Sequence, residues 1–143
     1  MSQQMEIEFK NLLTEEEYTR LLTFFNIRPQ QIVHQENHYF DTPNYDLKNA
    51  SSGLRIRVLP DRIECTLKER SSENIYLETT DQLTADEAAQ MIRGLTFEAP
   101  SVEQRLLDMN INKAELQLFG SLATNRVELA YEGGLLVFDH SSY

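Results

Sequence analysis

Apolar and polar residues alternate with a period of two over much of the chain, the pattern of strands that bury one face. At the start, Met5, Ile7 and Phe9 alternate with Glu6, Glu8 and Lys10, which predicts a strand over about 4–12 with a buried apolar side. Further strands are predicted over 31–41, ending in the turn-rich Asp41-Thr42-Pro43-Asn44, and over 54–59 and 62–69 as a hairpin around Pro60-Asp61. Others are predicted over 75–80, 122–131 and 135–139, the last two joined by a turn at Gly133-Gly134. Three stretches switch to helical spacing. Thr14 and Glu17 form a capping box ahead of Tyr18, Leu21, Leu22 and Phe25, and Pro29 closes that region. A second box, Thr84 to Glu87, leads into Ala88, Met91 and Ile92. A third helix starts near Ser101, with Val102, Leu106 and Leu107 on its buried side. With no internal repeat, linker or low-complexity segment, the reading is one α+β domain over 1–143, dominated by strands.

The polar sides of these strands are unusually charged. Arg55 and Arg57 alternate with Leu54, Ile56 and Val58; Thr66, Lys68 and Arg70 oppose Cys65 and Leu67. Tyr76, Glu78 and Thr80 alternate with Ile75 and Leu77, and Thr124, Arg126 and Glu128 with Val127 and Leu129. At least five of the thirteen Lys and Arg residues (Lys10, Arg55, Arg57, Lys68 and Arg126 among them) thus lie opposite apolar side chains. On any one strand this fits a solvated outer face. Repeated on several strands, it also fits a barrel whose polar faces line the interior while the apolar faces pack outward under helices. Such an interior needs a polyanion to neutralise its Arg and Lys. The Glu6–Glu8 pair admits the same two readings: a solvated edge strand, or a site where a hard divalent cation relieves the repulsion between carboxylates.

Composition narrows the partners. The chain has 143 residues, 41% of them hydrophobic, enough for one unaided core. A formal charge of −10 argues against nucleic acid or an anionic membrane as partner. No stretch resembles a signal peptide or a membrane span, and the lone Cys65, in line with Ile63 and Leu67, reads as a core residue; a cytoplasmic location is expected. His34, His38 and His140 read as structural or exposed, since a polyphosphate metal site prefers oxygen donors.

Taken in order, Glu6-x-Glu8-x-Lys10, Tyr39-Phe40-Asp41-Thr42, Leu54-Arg55-x-Arg57, Thr66-Leu67-Lys68 and Arg126 resemble the CYTH domain of the triphosphate tunnel metalloenzymes, which include class IV adenylate cyclases, thiamine triphosphatases and inorganic tripolyphosphatases. The resemblance runs from Glu6 to about Asp139. It implies an antiparallel β-barrel tunnel of about eight strands with helices outside, acting on triphosphate-bearing small molecules with Mg²⁺ or Mn²⁺. It also implies roles: Glu6, Glu8 and Asp139 as metal ligands, and Lys10 beside them as a catalytic and phosphate-contacting group. Arg55, Arg57, Lys68 and Arg126, with Lys10, would clamp the triphosphate, and Glu78 would be a supporting tunnel carboxylate. Glu78 reads equally as a partner for a neighbouring strand's cation, and Asp139 as a plain strand-end residue.

Family members usually continue past the Asp139 region with a further strand. The expectation is therefore a shortened or divergent member with an incomplete tunnel, an exposed strand edge and a homodimer formed through it. Hydrolysis of inorganic triphosphate is the first expectation for function. The alternatives are adenylate cyclase chemistry on ATP and a non-catalytic polyphosphate- or nucleotide-binding module. A lipid-binding barrel is disfavoured, because its interior should be apolar.

Overall fold

A computed structural model describes residues 2–142. The elements run β1 (Ser2–Ile7), α1 (Glu15–Phe24), β2 (Val33–Asp41), α2 (Asp46–Asn49), β3 (Ser52–Val58), β4 (Ile63–Ser72), β5 (Ile75–Leu83), α3 (Ala85–Ile92), α4 (Pro100–Asp108), β6 (Gln117–Tyr131) and β7 (Gly134–Ser142), with single 3₁₀ turns at Pro29–Gln31 and Lys113–Glu115. All strand pairs are antiparallel and form one seven-stranded sheet in the order β1-β5-β4-β3-β2-β6-β7, curled into a half-barrel with helices outside. The tunnel architecture is thus present as an open sheet: β1 and β7 are its edges, with no further strand among the described residues.

The outer side of the sheet carries the core. Phe40, Leu54, Ile56, Cys65 and Leu67 are buried there against Leu47 of α2, Ala88 and Met91 of α3, and Val102 and Leu106 of α4. Each such side chain contributes about 1.5–3 kcal/mol on leaving water. Burial also pushes the Cys65 thiol well above its ordinary value, so it stays protonated and inert. Helix α4 is tied on through polar groups: the Asp81 carboxylate of β5 accepts from the backbone N–H of Ser101 and Val102 at 2.8 and 3.0 Å. Asp81 thereby caps a helix whose own N-cap, Ala99, cannot. Arg105 of α4 grips Glu69 of β4 through two hydrogen bonds of 3.0 and 2.9 Å.

Both capping boxes form as the sequence predicts, at Thr14–Glu17 and Thr84–Glu87. Four expectations are corrected. The first strand ends at Ile7, not near residue 12, which leaves Glu8 and Lys10 beyond it. Met5, Ile7 and Phe9 are exposed rather than buried, because α1 docks at the opposite edge. There Tyr18 stacks on His140 at 5.3 Å and Phe25 packs on Phe138 at 5.7 Å. The β6–β7 turn is Glu132-Gly133, one residue earlier than predicted; both have left-handed φ, as a two-residue hairpin requires, and Gly134 pairs with Tyr131. Strand β6 begins at Gln117 rather than near residue 122, whereas the predicted turn after Asp41 forms and leads into α2, whose backbone N–H groups at Leu47 and Lys48 donate to the Asp41 carboxylate.

Candidate active site on the concave face

Register decides which side chains share the inner face. Arg57 pairs with Glu64 and Asn37, Arg55 with Thr66 and Tyr39, and Lys68 with Glu78. Glu6 pairs with Tyr76, and Arg126 with Val33 and Asp139. Because side chains alternate, all of these lie opposite the apolar row that packs under the helices. The inner face is therefore polar over most of its strands, with Val33 of β2 and Val137 of β7 among its apolar members, and its charges separate into two groups.

The first group surrounds Lys68. Its ammonium lies 3.8 Å from Glu6, 3.9 Å from Glu78 and in hydrogen-bond contact with Glu8, over the Tyr76 ring at 4.8 Å. Lys10 reaches the other oxygen of Glu8 at 3.2 Å, although it is itself exposed. The carboxylates respond differently to this setting. Burial, and a hydrogen bond and like charge shared with Glu78, push the Glu6 carboxyl above its ordinary value. Burial pushes Glu8 the same way, but the Lys68 hydrogen bond and charge, helped by Lys10, outweigh it and hold Glu8 low. Among the described residues no three Asp, Glu, His or Cys side chains are gathered around one point as ion ligands. The space between Glu6, Glu8 and Glu78 is spanned by Lys68 instead. Their chemistry nonetheless suits a hard cation: all three present carboxylate oxygens, and Glu6 with Glu78 form a repelling pair that a divalent ion would relieve.

The second group is basic. Arg55, Arg57 and Arg126 lie close enough that the other two guanidinium groups, together with burial, push Arg57 down to about 10. Burial is the larger cause. Arg57 Nε donates to Asn37 Oδ1 at 2.6 Å, whereas Arg55 Nε is buried with no acceptor among the described residues. Arg126 is committed to Asp139 through two hydrogen bonds of 2.8 Å, and that pairing, ahead of the opposing effect of burial, raises its value. Three guanidinium groups, two on β3 and one on β6 with β2 between them, present planar donors to one space, the arrangement that suits phosphate oxygens.

The structure thus brings Glu6, Glu8, Lys10, Lys68 and Glu78 together, and separately Arg55, Arg57 and Arg126. Asp139 sits on β7 with Arg126, at the far edge of the sheet order from Glu6 and Glu8. The three histidines have local partners: His34 with Asn125, His38 with Ser121, and His140 with Tyr18. Sequence reasoning missed Gln35 and Asn37, buried on β2, and gave no partner to the polar-face residues Thr124, buried on β6, and Thr66, which pairs with Thr80 at 2.9 Å. The only signal for the β2 pair was the Gln35-Asn37-Tyr39 alternation, which without charge looks like an ordinary solvated strand.

Comparison with known proteins agrees with this architecture. The sequence profile of the CYTH domain family matches residues 4–143. A Bacillus subtilis protein named "Putative triphosphatase YjbK" is 39% identical over 143 residues, spanning 100% of this chain and 73% of that protein. The crystal structure of a Bacillus halodurans protein named a "putative adenylate cyclase" is 37% identical, with a TM-score of 0.94 over 100% of this chain and 76% of its own. A Hippeastrum protein, the "putative adenylyl cyclase HpAC1" described as having a dominant triphosphatase activity, shares the fold at 18% identity and a TM-score of 0.72, over 97% of this chain and 71% of its own.

Proposed function

The chain belongs to the CYTH domain family, and from that premise we propose that it is a metal-dependent triphosphatase, with inorganic triphosphate as the preferred substrate. The observation that carries this reading is the division of one concave face into a carboxylate cluster around Lys68 and a cluster of three arginines. The triphosphatase named in the Bacillus subtilis relative and the activity described for HpAC1 support the reaction class. The side chains gathered on the inner face are cations and carboxylates suited to phosphate oxygens and a metal ion, which favours the inorganic anion.

The roles follow from donor chemistry. Arg55, Arg57 and Arg126 bind the phosphate oxygens through paired N–H groups, and Lys68 adds a point charge at the carboxylate end. Glu6 and Glu8 would hold a divalent cation, Mg²⁺ or Mn²⁺, which supplies charge neutralisation on the phosphates and acidifies bound water. Asp139 would be a further ligand once Arg126 turned from it to phosphate. Glu78 keeps Lys68 oriented, and Lys10, exposed beside Glu8, is placed to contact the terminal phosphate. Clamping all the phosphates of the substrate sets the terminal phosphorus for in-line attack by water.

The test is product analysis with inorganic triphosphate, ATP and thiamine triphosphate, each with Mg²⁺ or Mn²⁺. The expected product is orthophosphate, released fastest from inorganic triphosphate. Cyclic AMP with pyrophosphate would make the protein a cyclase, and binding without turnover would make it a polyphosphate-binding module.

A further inference from the structure

We propose that Asn37, a neutral residue of the inner face, is the positioning residue for Arg57, fixing that guanidinium with its two terminal amino groups turned to the anion; the inference rests on the triphosphate-binding reading above. Asn37 is 2% exposed, on β2 directly across from Arg57 on β3. An arginine side chain only donates, so Asn37 must offer Oδ1 to Arg57 Nε, and it does so at 2.6 Å. That choice leaves Asn37 Nδ2 to donate, and it faces Thr124 Oγ1 at 3.4 Å. Thr124 in turn shares a hydrogen bond of 2.8 Å with Ser141 on β7. A chain of hydrogen bonds therefore runs across four adjacent strands, β3, β2, β6 and β7, and favours the amide orientation with Oδ1 on Arg57.

The three arginines differ in how they are held. Arg126 spends Nε and one terminal amino group on Asp139, whose charge opposes its own. Arg55 Nε has no acceptor among the described residues. Arg57 alone is anchored through Nε by a neutral acceptor, and its terminal amino groups make no hydrogen bond among the described residues. A carboxylate at position 37 would orient Arg57 equally well but cancel its charge; the carboxamide orients it and leaves the full positive charge for the ligand. Pre-organisation of this kind is worth affinity because the side chain's freedom is already lost before the anion arrives.

A double-mutant cycle read by calorimetry with inorganic tripolyphosphate in metal-free buffer tests this. Asn37→Leu should weaken tripolyphosphate binding about tenfold in the otherwise native protein but by less than about twofold when Arg57→Ala is already present. Asn37→Asp should weaken it as well, while leaving Arg57 Nε held. The second readout needs no ligand. The Arg57 Nε–H resonance, assigned by its loss in Arg57→Ala, should be sharp in the native protein and in Asn37→Asp, and broadened in Asn37→Leu and in Thr124→Val. If Asn37→Leu does not fold, Thr124→Val carries the cycle, with a smaller loss that again disappears beside Arg57→Ala. Equal losses in both backgrounds, or no loss, would overturn the inference. A native protein that fails to bind tripolyphosphate would overturn the triphosphatase reading instead, and the Nε–H resonance would then decide the role of Asn37.

Discussion

Glu6 and Glu8 stand two residues apart, and their surroundings drive them in opposite directions. Glu6 is raised by burial and by Glu78, so the folded state favours its protonated form. Its stabilising effect is present below the ordinary carboxylate range and lost as pH rises through its raised value. Glu8 is held low by Lys68 and Lys10. Its contribution is present above the ordinary range and lost as pH falls through its depressed value. At neutral pH without metal, Glu6→Gln should therefore raise Tm and Glu8→Gln should lower it. Both groups are partly solvated, so each shift should amount to a few degrees at most, from under about 1 kcal/mol. Melting curves of the two variants at pH 7 check this, and in acid both should converge on the native protein. Shifts of the same sign at pH 7 would mean that the two carboxylates do not divide in this way. The charged members of the face were legible from alternation alone, because a charge opposite an apolar row is conspicuous in a sequence. Asn37 was not, because a neutral polar residue reads as solvated until a partner from another strand is known, and for the same reason Thr124 was placed on the polar face without a role. The Arg126–Asp139 pair was likewise hidden, since it depends on the register of the β6–β7 hairpin.

Among the elements, α4 shows how the outer layer holds the inner face in place. The helix has a proline in its first turn and no side-chain cap of its own, and Asp81 on β5 supplies the missing acceptor from a different element. Asp81 sits three residues along the strand from Glu78, on the other side of the sheet. Asp81→Ala should remove the cap, costing about 1–2 kcal/mol and lowering Tm by about 2–8 °C, measurable by circular dichroism. An unchanged Tm would mean that Asp81 does not anchor α4. Capping boxes made α1 and α3 readable because each is local, completed within four residues. The cap on α4 joins residues twenty and twenty-one apart, and no local pattern carries it. Strand lengths erred for a related reason. Alternation continues past Ile7 through Phe9, but pairing with β5 ends at Ile7 opposite Ile75, where the partner strand itself begins. Alternation reports a capacity for strand; only a partner realises it.

At the scale of the whole molecule, a chain of net charge −10 concentrates cations on one concave face. The basic part of the curled sheet can thus draw an anion to an otherwise acidic molecule. No helix among the described residues is long and apolar enough to cross a membrane. Within the half-barrel the carboxylates gather where β1 meets β5 and β4, and the arginines where β3, β2 and β6 adjoin, so cation and anion are expected to bind side by side through different residues. Calorimetric titration of Mn²⁺, and separately of inorganic triphosphate, into three proteins tests that division most directly: the native chain, Arg55→Ala, and the pair Glu6→Gln with Glu8→Gln. Arg55→Ala should weaken triphosphate binding by about tenfold or more, the loss of one charge-assisted contact, and leave Mn²⁺ affinity within about twofold. The paired glutamine variant should lose Mn²⁺ binding and keep metal-free triphosphate binding. Loss of Mn²⁺ binding to the same extent in both variants, or native triphosphate affinity in Arg55→Ala, would contradict the account.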